Sequence, residues 1–348
     1  MRLLRWLSLG CGAFVLLLAG ALITFLVSAR GGSMVEAITE VIASDELNGR
    51  ELETADDVLS YLRAHPERYA LAAWELGQED AGVFHDADRA WPLASTVKII
   101  PLVLASEEVA AGRWSLDTPT PEVDSYYLPG TDGDAHPAAS ADGGTATLGG
   151  AIHGMIRYSD NAATDAILFR LGRARLASDG GLPTPHPLAG TLVLARDGFD
   201  GGSLDDAAWA AAEHLTNRTA LIPLAQQLRM ARELDNRGTA RAFAALMARV
   251  FSDDSARTAL ARRELAWPME FKSNQRDFVV LATKGGSLPG TLTSASYAET
   301  KSGRKRVLAL FLHDLPFATW VSLSRSFAHQ KLERRLLLDD GAIEASFR

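Results

Sequence analysis

Apolar and polar positions change their spacing several times along this chain, and each change marks an element. Thr54 to Asp57 has the form of a capping box opening a helix through VLSYLRAHPE, which Pro66 should end. RYALAAWEL and AGVFHDADR then read as two short strands joined by a polar turn at residues 77–80. STVKIIPLVLASEEVAAG predicts a helix stopped by Gly112 and bent in its first turns by Pro101. TLGGAIHGMIRYSDNAATDAILFRLG predicts two helical stretches interrupted at residues 158–161, and further helices are predicted by DDAAWAAAEHL, ALIPLAQQLRMARELD and ARAFAALMARVF. FVVLATKGGSL, LTSASYAET and KRVLALFLHDL read as three strands with a hairpin at residues 300–304, and ATWVSLSRSFAHQKLERRLLL as one closing amphipathic helix. Residues 119–147 and 178–204, rich in Gly, Pro and Asp, read as loops. The order predicts one α+β unit whose sheet takes strands from both ends of the sequence, with a helical insert between them.

The N-terminus follows a different rule. Arg2 and Arg5 precede residues 6–29, which carry no charged side chain, a run long enough to span a bilayer. The expectation is an uncleaved membrane anchor over residues 1–30, with cleavage after Ala29 as the rival. The positive-inside rule then puts the rest of the chain outside the cytoplasmic membrane, as a helical lead-in at 31–68 and a globular domain at 69–348. The single cysteine, Cys11, lies inside the apolar run, so the domain holds no disulfide, thiol nucleophile or cysteine metal site.

Charge narrows the partners. A formal net charge of -8 and the lack of a basic cluster argue against nucleic acid. The eight histidines are scattered without ligand spacing, so no metal or other cofactor is expected. Only six lysines stand among the 35 basic residues, which makes each lysine informative.

Lys98 is the odd one, set in the apolar stretch WPLASTVKII. At a helix start Ser95 and Lys98 share a face, and a lysine desolvated there can take the proton of a serine hydroxyl. Ser159-Asp160-Asn161 at the helix break can aim a hydroxyl and an amide into a cleft. Lys284-Gly285-Gly286 at a strand end lets a substrate backbone approach beside an ammonium. Taken singly, these could be two helix caps and a loose turn; together, in this order, they form a constellation.

STVK, SDN and KGG resemble, in order and interval, the motifs of the penicillin-recognising serine hydrolases, and among them the class A β-lactamases. The resemblance runs from about Tyr69 to the C-terminus. It implies an antiparallel sheet with helices on its faces and a helical subdomain. It also implies Ser95 as acylated nucleophile, Lys98 as base or relay, Ser159 as proton donor to the leaving nitrogen, and Asn161 as partner of substrate and lysine. Lys284, Gly286 and Ser287 would bind substrate, with the Ser95 and Ser287 backbone N–H groups as oxyanion hole. Two departures stand out. The Glu-x-x-Leu-Asn pattern that activates the deacylating water is missing; Glu213, with Asn217 four residues on, is a weak substitute, and Asp197, Asp200, Asp205 and Asp206 lie in a flexible stretch. Gly285 replaces the usual hydroxyl residue, for which Ser287 is a candidate stand-in. Acylation therefore looks provided for and deacylation does not. The expected partner is a β-lactam or a peptidoglycan stem peptide, and the readings are a β-lactamase-like hydrolase, a D,D-peptidase, or a membrane-tethered sensor.

Overall fold

Thr54 opens helix α1 (Ala55–Ala64) as its sequence predicts: Thr54 Oγ1 accepts the Asp57 N–H, and the Asp57 carboxylate accepts the Thr54 N–H in return. In this computed structural model, residues 49–128, 146–177, 182–215, 224–339 and 341–347 are described. The uncharged run at 6–29 lies outside them. After α1 come strands β1 (Tyr69–Glu75) and β2 (Val83–His85), then the two-residue strand β3 (Trp91–Pro92). The helix expected from Ser95 starts one residue earlier and tighter, as a 3-10 turn at Ala94–Lys98, before α2 (Ile99–Ala110). Pro101 lies in the first turn of α2, where a missing N–H costs least, and α2 runs on unbroken to a positive-φ Gly112.

Helix α3 (Leu148–His153) widens into a π-turn at Gly154–Tyr158, and α4 (Asn161–Leu171) follows the break at residues 159 and 160. The short α5 (Arg173–Leu176) leads to α6 (Leu188–Asp197), a helix in a stretch whose composition predicts a loop. Its cause is tertiary. The Asp165 carboxylate of α4 accepts the Leu188 and Ala189 N–H groups at 2.8 and 2.7 Å, a cap supplied from another helix. A Cβ at Gly190 would stand 1.8 Å from the Ala208 carbonyl oxygen, so only glycine lets α6 pack on α7 (Leu204–Glu213). Helix α8 (Leu224–Arg229), a π-turn at Met230–Leu234 and the short β4 (Arg237–Gly238), paired with β3, complete the insert.

Helices α9 (Ala240–Ser252), α10 (Ala256–Leu265) and α11 (Lys272–Asp277) return the chain to the sheet. The three expected strands are β5 (Phe278–Leu288), β6 (Thr291–Thr300) and β7 (Lys305–Leu312). The order β2-β1-β7-β6-β5 is antiparallel throughout and joins the first strands to the last, as the sequence predicts, and leaves β5 at one edge. The closing helix is two, α12 (Phe317–Ser326) and α13 (Ala328–Leu338), divided at Phe327, whose φ of 53° cannot continue a helix.

Each sheet face is covered. Ala72, Ala282, Ala295, Ala309 and Phe311 on the inner face pack with α2, α4 and α9; Leu71, Leu308, Leu310 and Leu312 on the outer face pack with α1, α12 and α13. Leu62 of α1 is fully buried in the outer layer. Leu62→Ala should therefore destabilise the domain by about 2–5 kcal/mol in urea unfolding. A loss under about 0.5 kcal/mol would mean that α1 is a detachable appendage.

Candidate active site

The 3-10 turn at Ala94–Lys98 decides the first contact. At three residues per turn, positions i and i+3 eclipse, so the turn puts Ser95 and Lys98 on one side of the backbone. Lys98 is fully buried. Its Nζ donates to the Ser159 carbonyl oxygen at 2.5 Å, to Asn161 Oδ1 at 2.6 Å and to Ser159 Oγ at 3.1 Å. The π-turn and Ser159, held in the left-handed region at φ 62°, swing both Ser159 oxygens toward the amine. Asp160 then caps α4 by accepting the Ala163 N–H at 2.9 Å, and Asn161, the first residue of α4, faces Lys98.

From the sheet, Lys284 Nζ reaches the same Ser159 Oγ at 3.0 Å and the Gly285 carbonyl oxygen at 2.7 Å. Burial first, and the Lys98 charge second, hold the Lys284 ammonium well below its ordinary pKa. One hydroxyl thus links two amines, an arrangement that can pass a proton between them.

β5 approaches the turn closely because Gly286 has no side chain: a Cβ there would lie 2.5 Å from Ser95 N and 2.8 Å from the Leu93 carbonyl oxygen. Thr293 Oγ1 donates to that Leu93 oxygen at 2.6 Å and pairs with Thr96 Oγ1 at 2.8 Å, fixing β6 to the same turn. Gly285 differs, since a Cβ would meet only the Thr293 carbonyl oxygen, at 3.5 Å. A side chain would be tolerated there, so glycine at 285 relieves no clash. Ser287 Oγ accepts the Trp320 Nε1–H at 3.2 Å, so its side chain lies on the outer face of β5 and does not stand in for a hydroxyl on the Ser95 side.

Ser95, Ser159, Asn161, Lys284, Gly286 and Ser287 line one cavity of about 1010 Å³, with Lys98 beneath. Tyr158, Trp267 and Phe271 form an aromatic rim, and the Arg157 guanidinium lies 4.5 Å over the Trp267 ring. Glu213 is exposed at the end of α7 and does not line this cavity. Asp197, Asp205 and Asp206 are committed to Arg196, His186 and Arg173, and neither they nor Asp200 line it. Of the two described carboxylates that do, Asp235 and Glu333, the sequence reading singled out neither.

Asp235 carries the approach to Ser95. Its Oδ2 accepts the Ala94 N–H at 2.6 Å, and the next residue's carbonyl oxygen accepts the Leu93 N–H at 2.8 Å. Ala94 sits at φ 45°, so these two bonds hold a backbone conformation that alanine rarely adopts. Complete burial pushes the Asp235 carboxyl up to about 6, chiefly by desolvation. No sequence pattern announces this residue, because its partner is a backbone N–H far away in the chain.

These features define a class: an α+β protein in which a serine over a buried lysine meets a second serine and a second lysine across a cleft. The chain belongs to the β-lactamase enzyme family, whose sequence profile matches residues 53–326. Solved structures place the fold with the same group. A β-lactamase from Sphaerobacter thermophilus is 18% identical with a TM-score of 0.55, covering 81% of this chain and 98% of its own. A class A β-lactamase from Mycobacterium abscessus is also 18% identical, with a TM-score of 0.51 and coverage of 81% and 99%. A point mutant of PBP-A, solved as an acyl-enzyme complex with penicillin G, is 17% identical with a TM-score of 0.51 and coverage of 81% and 96%. No curated protein sequence matches significantly.

Asp235 yields a pH prediction. Its folded-state pKa lies above the ordinary 3.8, so the stability it contributes is present below about pH 4 and is lost as pH rises to about 6. Asp235→Asn keeps an acceptor for Ala94 and removes that titration. The variant's stability advantage over the parent in urea unfolding should grow between pH 4 and 6 to roughly 3 kcal/mol and then level off. An advantage independent of pH would show that the carboxyl is not strained by burial.

Proposed function

We propose that the protein is a serine acyl-transfer enzyme, acylated at Ser95 by β-lactams or by the peptide bond of peptidoglycan stem peptides. The observation that carries this reading is the shared Ser159 hydroxyl, within hydrogen-bond distance of both Lys98 and Lys284. In the reaction, Lys98 acts in its free-amine form and takes the Ser95 hydroxyl proton as Oγ attacks the carbonyl carbon. The oxyanion that forms is held by the Ser95 and Ser287 N–H groups. As the carbon–nitrogen bond breaks, the Ser159 hydroxyl gives its proton to the leaving nitrogen and recovers one from the Lys98 ammonium. Each proton has a donor and an acceptor, and no metal or cofactor is called on. A substrate carboxylate fits the lysine-bearing side of the cleft, and the aromatic rim suits an apolar acyl side chain.

Release of the acyl group is slow in this reading. Among the described residues lining the cavity, Asp235 is occupied by the Ala94 N–H and Glu333 belongs to the outer face of the sheet. Between Glu213 and Glu233 the sequence contains no acid, and Gln227 of α8 faces the cavity with an amide, which cannot take a proton from water. The same observation favours a D,D-peptidase over an efficient β-lactamase as the physiological role. The uncharged run at residues 6–29 supports export, with the domain working outside the cytoplasmic membrane, where both substrates are found.

Incubating residues 31–348 with penicillin G should yield an adduct at Ser95 by mass spectrometry, and Lys98→Ala should slow its formation about 10²- to 10⁴-fold. Absence of both adduct and turnover would overturn the enzyme reading, and unchanged acylation in the variant would remove Lys98 from the mechanism. Gln227→Glu, which puts a carboxylate on the cleft wall, should shorten the adduct's lifetime at least about tenfold, within the range of general-base catalysis. Immediate release of product by the parent protein would instead mean that deacylation is already complete.

A further inference from the structure

The cavity does not end at the edge strand. It continues past β5 to the outer face of the sheet, where its polar lining includes Thr283 of β5, Ser294 and Ser296 of β6, Ser324 of α12, and His329 and Glu333 of α13, with Gln330, Lys331 and Arg334 of α13 also on the wall. This layer is otherwise the apolar seam between the sheet and the C-terminal helices. Side chains on a strand alternate faces, so Lys284 and Gly286 look toward Ser95 while Thr283 looks outward, across from Ser296. Six polar groups in a seam that leucines fill elsewhere need an explanation of their own.

Hydrogen bonding among these groups does not provide one. Ser296 Oγ donates to Thr283 Oγ1 at 2.8 Å and the Ser294 hydroxyl faces the Glu333 carboxyl, but Ser324 Oγ and His329 Nδ1 are buried without a hydrogen-bond partner. Ser294 is 4% exposed, Glu333 7% and His329 8%. Leaving such atoms unsatisfied costs about 1–3 kcal/mol apiece. Glu333 has no cation within ion-pairing distance among the described residues. The adjacent Arg334 donates to Asp277 and Asn274, and Lys331 donates to the Glu53 carbonyl oxygen. Burial pushes the Glu333 carboxyl up to about 7, only partly offset by the nearby Ser294 hydroxyl, and pushes the His329 ring down to about 4, so the imidazole is neutral. The chamber thus offers a carboxyl, a neutral imidazole and hydroxyls, and no unpaired cation. Leu281, Trp320 and Leu337 supply apolar wall beside them.

We propose that this chamber, between the outer face of β5 and β6 and helix α13, is a second binding site that takes a small organic cation, an ammonium or amidinium carried on an apolar body. The cationic nitrogen pairs with Glu333 and donates to the hydroxyls, and the apolar body lies against Trp320 and Leu337. The site is independent of acylation at Ser95, although both faces share β5.

Benzamidine is the probe, titrated calorimetrically at pH 8, where Glu333 is ionised. One equivalent should bind the parent domain, and both Glu333→Gln and Ser324→Leu, which fills the chamber, should weaken binding at least tenfold while still unfolding cooperatively, Glu333→Gln at a melting temperature above the parent's at pH 8. Asp235→Asn removes the other carboxylate of the cavity and should leave the affinity unchanged. The proposal is overturned if benzamidine does not bind the parent at millimolar concentration. It is equally overturned if Asp235→Asn weakens binding as much as Glu333→Gln, which would place the probe on the nucleophile's face. A crystal of the parent grown with benzamidine that shows only water against Ser294, Ser324 and Glu333 would also end it.

Discussion

Everything around the cleft is arranged about one buried amine. Lys98 has no solvent exposure, and a buried ammonium without partners would cost many kcal/mol, so acceptors have to be brought to it. They come from a single short stretch: the carbonyl and hydroxyl oxygens of Ser159 and the amide oxygen of Asn161. To present two oxygens of one residue to one nitrogen, the chain leaves helical geometry, through the π-turn at Gly154–Tyr158 and the left-handed Ser159. A non-glycine residue in that region costs roughly 1–3 kcal/mol. The conformation persists because three hydrogen bonds to Lys98 and the Asp160 cap lock both sides of the break.

A second strained residue, Ala94, stands immediately before Ser95. The two unusual backbone positions thus flank the same space, and each is fixed by a long-range contact: Ala94 by Asp235, Ser159 by Lys98. The sheet completes the enclosure, because glycine at 286 lets β5 touch the Ser95 turn while Thr293 binds the Leu93 carbonyl oxygen from β6. The inner apolar layer behind these groups excludes water, and this strengthens each hydrogen bond and lowers the proton affinity of Lys284.

The parts legible in the sequence are those whose information is local. Alternation and capping marked α1, the five sheet strands and the break at Ser159, and the rarity of lysine drew attention to Lys98 and Lys284. The parts missed depend on partners far along the chain. Helix α6 has a weak N-terminus of its own and is capped by Asp165; Phe327 splits a segment whose apolar spacing runs straight through it. Asp235 looked like any acid at a helix end until it met Ala94. The serines of β6 fit the alternating pattern, and only the packing of α13 shows that they face a buried layer where leucine would be expected.

Asp235 also bears on the proposed function, in which acylation is provided for and release of the acyl group is slow. A carboxylate that activates water needs a free lone pair directed at the acyl carbon and a pKa suited to taking a proton. The Asp235 lone pair at 2.6 Å from Ala94 N is spent on holding the turn, and withdrawing it would release the strained Ala94 and with it the placement of Ser95. Any base role would fall to Oδ1 alone, with Oδ2 kept on Ala94. Glu333 has a suitable pKa but lies across β5, behind a hydrogen-bonded ladder that separates it from Ser95. The carboxylates of the cavity are therefore structural on one face and without a cation on the other, and the chemistry left to the cleft is that of its serines and lysines.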